Sequence, residues 1–240
     1  MKRGAKRFYE SVYVGETDDG YSVRLDGKPI KTPGGRDFVV PTLQLGEAIA
    51  DEWRAQGGEI DPDTMPLTRY ANTVIDRVAV RHAAIAAELA KFAGHDLLCY
   101  REDVTTELMQ RQAAAWDPWI AWAADRYGVE LEVARGLSPI EQPPETLERL
   151  ARAIAAHDAH RLAVLNTGIT ITGSAVLGLA FVARAMDAAQ AFATARVDEI
   201  FQAERWGRDA EAEARDARRL ADLKAAERYL SLLPSASTEV

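Results

Sequence analysis

Tyr21-Ser22-Val23-Arg24-Leu25-Asp26-Gly27-Lys28-Pro29 decides how the chain begins. Tyr21, Val23 and Leu25 alternate with Ser22 and Arg24, the period-two pattern of a half-buried strand. Asp26-Gly27 is a two-residue turn of the kind that closes a tight hairpin. Pro29 donates no N–H, which suits the edge of a sheet. Upstream, Asp18-Asp19-Gly20 supplies another turn. Downstream, Pro33-Gly34-Gly35 breaks the chain before the apolar run Phe38-Val39-Val40. Residues 1–40 therefore read as a small antiparallel meander.

From about residue 43 the composition shifts to Ala, Leu, Glu and Arg, the residues that lose least on entering a helix. The pattern predicts helices over 43–56, 66–93 with a break, 104–116, 118–127, 144–157, 160–184, 187–204 and 206–232. Asp117-Pro118 reads as a boundary, Asp capping a new helix and Pro filling its first turn. The expected fold is α+β. A small N-terminal antiparallel β-meander or mixed α/β domain (1–100) precedes a mainly α-helical C-terminal domain (101–240). Pro234 to Val240 reads as a short frayed tail.

The totals narrow the function. The chain has 240 residues, 48% of them hydrophobic, enough for a core without covalent staples. Its single cysteine, Cys99, sits in an apolar run and fits a reducing compartment. A formal charge of −8 argues against nucleic-acid binding, which draws its affinity from Lys and Arg on phosphates. The basic start, Met1 to Arg7, runs into Phe8-Tyr9-Glu10 rather than an apolar signal core, so secretion is not expected. Leu162 to Ala183 carries no charge and could span a bilayer by length. Its Asn, Thr, Ser and Gly residues instead predict a buried core helix, and no membrane insertion is expected.

Few motifs in the chain point to chemistry. Gly27-Lys28 and Gly34-Gly35 lie among prolines and a hairpin turn, not on the strand-to-helix turn that a phosphate loop needs. His157 and His160 lie one helical turn apart, and His95 is close to Cys99, but neither pair has further ligands at a useful spacing, so no metal is expected. Ser174 lies inside the apolar stretch, not on a nucleophile elbow, and Thr172-Gly173-Ser174 reads as small residues admitting a neighbouring helix. Asp198 to Glu213 is rich in carboxylates. On a helix Asp198, Gln202 and Trp206 share one side, Glu204 and Arg208 are spaced for an i,i+4 ion pair, and Gly207 marks a kink or break. The stretch reads either as a solvated face or as an acidic patch with an aromatic beside it, suited to a basic protein surface. Trp53, Trp116, Trp119 and Trp122 read as core residues or as interface anchors.

Several motifs, in order, resemble the ATP synthase assembly factor 2 family, chaperones of the alpha subunit of the F-type ATP synthase catalytic head. They begin with Arg7-Phe8-Tyr9, Leu25 to Pro29, Thr32-Pro33, Glu52-Trp53 with Gln56, Met65 to Arg69, Ala71-Asn72-Thr73 and Ile75-Asp76. Asp96-Leu97-Leu98, Tyr100-Arg101, Gln112, Trp116-Asp117-Pro118 and Thr172-Gly173-Ser174 follow. The last are Asp198-Glu199, Gln202, Trp206-Gly207 and Asp209 to Ala212. Tyr70 and Ile171 are minor departures. The resemblance implies a two-part fold, no catalysis, no cofactor and no nucleotide. It implies a protein that holds free alpha subunit until the beta subunit displaces it without ATP. Eukaryotic relatives are mitochondrial, whereas this chain starts almost at Arg-Phe-Tyr, so a bacterial cytoplasmic protein, monomeric when free, is expected. The expected partner-binding residues are Asp198, Glu199, Trp206, Asp209 and Glu211, with Trp53 as a second candidate. The rival readings are a permanent structural subunit of an oligomer and an acid/base enzyme using the 198–213 carboxylates.

Overall fold

The computed structural model describes residues 5–136, 140–207 and 209–234. The chain forms two compact units: residues through Arg81 together with those from Arg228, and His82–Glu227. The joint expected near residue 100 falls within the second unit.

In the first unit β1 (Val12–Thr17), β2 (Gly20–Leu25) and β3 (Lys28–Pro29) form an antiparallel sheet in that order. Leu25 pairs with Val12 on one side and Lys28 on the other. Asp26 (φ 48°) and Gly27 (φ 84°) both adopt positive φ, as the hairpin turn requires. The Asp26 carboxylate also accepts from Ser11 N at 2.8 Å and Ser11 Oγ at 3.0 Å. The Phe38-Val39-Val40 run pairs with the sheet only at Val40 and Tyr21. Phe38 and Val40 are nonetheless fully buried.

Helix α1 (Leu43–Arg54) packs on β1 and β2, with Gly46 close to Val14 and Tyr21, and buries Leu45, Ile49 and Ala50. Thr42 caps it, accepting from Leu45 N, and donates its hydroxyl to Leu232 O at 2.6 Å. Helix α2 (Pro66–Thr73) continues into a π-helical turn, Val74–Val78. Tyr70 of α2 meets Tyr229 with ring centroids 4.7 Å apart.

The second unit holds α3 (His82–Ala90), the parallel pair β4 (Tyr100–Arg101) and β5 (Ala134–Arg135), α4 (Thr106–Tyr127) and α5 (Pro144–Ala155). It continues with α6 (Ala159–Thr172), α7 (Ala175–Val182), α8 (Ala188–Ala195), α9 (Val197–Trp206) and most of α10 (Ala210–Ser231). Three helix expectations are corrected, the first being 187–204, which is two helices, α8 and α9, meeting at Arg196. The tryptophan-rich segment is one helix, with Pro118 inside α4. Asp117 caps nothing there, because α4 is continuous and has no N-terminus at that point, and its carboxylate pairs with Arg101 at 2.8 Å. Conversely, 160–184 is two helices. Gly173 (φ 71°) ends α6 in the left-handed conformation, and the Ser174 hydroxyl accepts from Leu177 N to start α7. Thr172-Gly173-Ser174 is thus a helix break, not a close-approach surface. Among the described residues no helix is long and apolar enough to cross a membrane.

Close approach occurs instead at Gly168 and Gly178. A Cβ on Gly178 would clash with Ile169 Cγ1 and lie 3.1 Å from the Ile169 backbone nitrogen, which cannot rotate away. Gly178→Ala gains helix propensity but overpacks this crossing, and the overpacking should prevail. We expect a net loss of about 1–2 kcal/mol in urea unfolding. A variant as stable as the parent would show that the two helices can separate freely.

At the start of α6, burial pushes His157 and His160 below the usual imidazole range. The His157 carbonyl meets His82 Nε2 at 2.7 Å. Because both imidazoles hold protons less tightly when folded, the unfolded chain binds more protons below its pKa of about 6.5. Their contribution is complete above that pH and is lost as pH falls toward the lowered folded values. Unfolding free energy should therefore drop between pH 7.5 and 5.5, and drop less in the His157→Gln, His160→Gln double variant. Equal pH dependence in the two proteins would remove the histidines as the cause.

Candidate functional site

Several of the motif residues hold the fold. Glu52 accepts from Leu67 N and Thr68 N at 2.8 Å each and from Thr68 Oγ1 at 2.7 Å, capping α2, whose first residue is a proline. Gln56 accepts from Asp61 N at 2.7 Å and donates to Thr64 Oγ1, while its carbonyl receives Arg7 at 2.6 Å. Asp76, on the π-helical turn, accepts from Thr32 Oγ1 at 2.6 Å and Gly34 N at 2.8 Å, pinning the loop after β3. Trp116 is buried and donates Nε1 to Thr194 O at 2.7 Å.

Trp53 belongs to the first unit and is only partly buried. Its ring meets Tyr9 edge-on at 5.7 Å, and its carbonyl accepts from the Tyr9 hydroxyl at 2.7 Å. Its buried Nε1 finds no acceptor among the described residues. Burial pushes the Tyr9 phenol above its usual range, with Arg7 opposing.

The other expected site residues gather on α9 and the start of α10. Ion pairs brace α9 on one side. Glu107 of α4 accepts from Arg205 at 2.9 Å and from Arg111 at 2.8 Å, which together hold its carboxyl below the usual range. Arg111 also reaches Glu204 at 2.7 Å. The Arg205 and Arg111 guanidiniums lie 4.3 and 5.2 Å from the ring centroid of buried Phe201. Arg196 joins Glu199 and Asp216 at 2.7 Å each, tying the start of α9 to α10.

Of the expected residues, Asp198 is half-buried and accepts from Gln112 Nε2 at 2.8 Å, which makes it part of the brace. Glu199 is exposed beside Arg196. Asp209 is exposed and accepts from Glu211 N and Ala212 N, capping α10. Glu211 is exposed on the first turn of α10. Trp206 is 76% exposed at the end of α9, where Gly207 (φ 89°) turns the chain. The Glu204 partner expected by spacing, Arg208, lies outside the described residues.

A groove of about 830 Å³ runs between α9 and α10. Its apolar lining includes Phe192, Ile200, Ala203, Trp206 and Ala212, and Glu199, Asp209, Glu213 and Asp216 add carboxylates. Of this apolar lining the sequence pointed only to Trp206. The spacing Ile200, Ala203, Trp206 was available as a signal, whereas Phe192 and Ala212 come from other helices. Among the described residues no group of three or more His, Cys, Asp or Glu is placed to hold a metal ion. The geometry suits contact with a protein: an exposed aromatic on a ridged, mixed apolar and acidic surface.

Comparison with known proteins agrees with this architecture. A family model described as ATP12 chaperone protein matches residues 6–124, ending before α9. The crystal structure of Atp12 from Paracoccus denitrificans superimposes with a TM-score of 0.93 at 44% identity, covering 95% of this chain and 98% of that one. The Atu1473 protein of Agrobacterium tumefaciens superimposes with a TM-score of 0.89 at 37% identity, covering 95% and 86%. The mitochondrial protein atp12 of Schizosaccharomyces pombe is 23% identical over 214 residues, 84% of this chain and 74% of its own length. With near-complete structural overlap at these identities, the chain belongs to the ATP12 chaperone family, the assembly-factor family that its motifs resemble.

Proposed function

We propose that the chain is an ATP-independent assembly chaperone that holds the free alpha subunit of the ATP synthase catalytic head in the bacterial cytoplasm. The observation that carries a holding surface is Trp206, a large aromatic left 76% exposed beside carboxylates on α9 and α10. An unassembled subunit presents a surface shaped to be buried, and such surfaces aggregate. A holder covers that surface with apolar anchors and complementary charge. The beta subunit, offering more favourable contacts over the same area, then displaces it by competition. No cofactor and no catalytic residue enter this scheme. Glu199, Trp206, Asp209 and Glu211 make the contact, supported by Asp198 from the brace; Trp53 is a second candidate anchor.

The test is co-expression with alpha subunit from the same organism, followed by addition of beta without nucleotide. We expect alpha to stay soluble in a one-to-one complex that beta dissolves. Glu199→Lys with Glu211→Lys should weaken alpha capture about tenfold or more, with only a small drop in melting temperature from the lost Arg196–Glu199 pair. Alpha that is equally soluble alone and never co-purifies would end the holder reading. Full affinity in the folded double variant would move the contact away from α9 and α10.

A further inference from the structure

We infer that the groove between α9 and α10 receives a basic amphipathic helical segment of the client, apolar side down; this rests on the holder function proposed above. The floor is apolar, with Ile200 45% exposed and Trp206 76% exposed at its rim. Surface of this kind, backed by buried Phe201, fits the helix-in-groove mode of recognition. The dimensions agree: α9 has 10 residues, about 15 Å of helix, enough to lie beside about three turns of a partner helix.

Charge selects the sign of that segment. The described lining carries five carboxylates (Glu199, Glu204, Asp209, Glu213, Asp216) against two arginines (Arg196, Arg215). Arg196 pairs with Glu199 and Asp216, and Arg111 of α4 pairs with Glu204, so the five carboxylates still outnumber the three guanidiniums at the groove. The walls therefore favour Lys and Arg and oppose an acidic helix or a nucleic acid. A second copy of this chain would bring a surface of the same sign.

The probe is a fluorescent peptide of about 18 residues with leucine at i, i+3, i+4 and i+7 and lysine on the opposite face. Its comparators carry glutamate for lysine, or the same residues scrambled. Anisotropy with the full chain should show micromolar binding of the lysine peptide alone, weakening several-fold from about 50 to about 300 mM salt. Ile200→Lys should weaken binding about tenfold, and Val104→Lys, at an exposed site elsewhere in the same unit, should leave it unchanged. The lysine peptide should also compete with intact alpha subunit.

Equal binding of the glutamate or scrambled peptide, or full binding by Ile200→Lys, overturns the inference. If alpha is captured by parent and Ile200→Lys alike and the peptide does not compete, the groove assignment fails and the holder reading stands. If the chain captures no alpha at all, the holder reading fails first. Concentration-dependent self-association abolished by Ile200→Lys would assign the groove to a second copy and overturn the proposal.

Discussion

Asp96→Ala should cost about 3–5 kcal/mol of unfolding free energy, because it strips several buried donors of one shared acceptor. Asp96 is completely buried. Its Oδ1 accepts from Leu98 N and its Oδ2 from Val176 N, both at 3.0 Å. Ser174 and the Ala175 backbone also hydrogen-bond to it. Burial pushes the Asp96 pKa up, and these four hydrogen bonds oppose that rise. The carboxyl closes the break between α6 and α7 and sits at the N-terminus of α7, where the helix dipole favours negative charge. Asp96→Asn keeps one acceptor but turns an NH₂ toward backbone donors, so an intermediate loss is expected. Urea denaturation of the three proteins at one pH measures it. A loss in Asp96→Ala below about 1 kcal/mol would mean that water or a local shift satisfies the exposed N–H groups.

That carboxyl also shows how far a sequence can be read. Local signals were sufficient where neighbours in sequence are neighbours in space. Asp26-Gly27 forms its hairpin turn, and Pro29 lies on β3, which among the described residues pairs with β2 alone. The stop at Gly173 and cap at Ser174 were also written locally. They were masked by an apolar run whose all-round burial resembles a single core helix, whereas the partner that makes the break tolerable, Asp96, is far away in sequence. At Asp117-Pro118 the local signal was clear and was overridden. Asp117 pairs with Arg101 within the continuous helix, and burial of Trp116 and Ala123 favours keeping α4 intact through a proline that costs it a hydrogen bond. The same limit governs the candidate site. The acidic run named α9 and the start of α10, but a groove is a property of several helices, and Phe192 of α8 carries no mark in sequence. Nor does periodicity distinguish Asp198, spent on Gln112, from Glu199, which faces water.

Trp116→Ala should lower stability by about 3–5 kcal/mol, the usual cost of emptying a large aromatic site in a core. Trp116 is fully buried, donates Nε1 to Thr194 O at 2.7 Å and lies 5.0 Å below the Arg101 guanidinium. Trp116→Phe isolates part of this. It keeps most of the ring but leaves the Thr194 carbonyl unsatisfied, for a loss of about 1–3 kcal/mol. Trp206→Ala removes the same side chain from a 76% exposed position and should change unfolding free energy by no more than about 0.5 kcal/mol. The comparison assigns loss of client capture to its cause. Trp116→Ala would lose capture together with its thermal transition, whereas Trp206→Ala would lose it with the transition intact. If the two variants fell in stability by similar amounts, Trp206 would be a packed residue and the exposed anchor at the end of α9 would have to be abandoned.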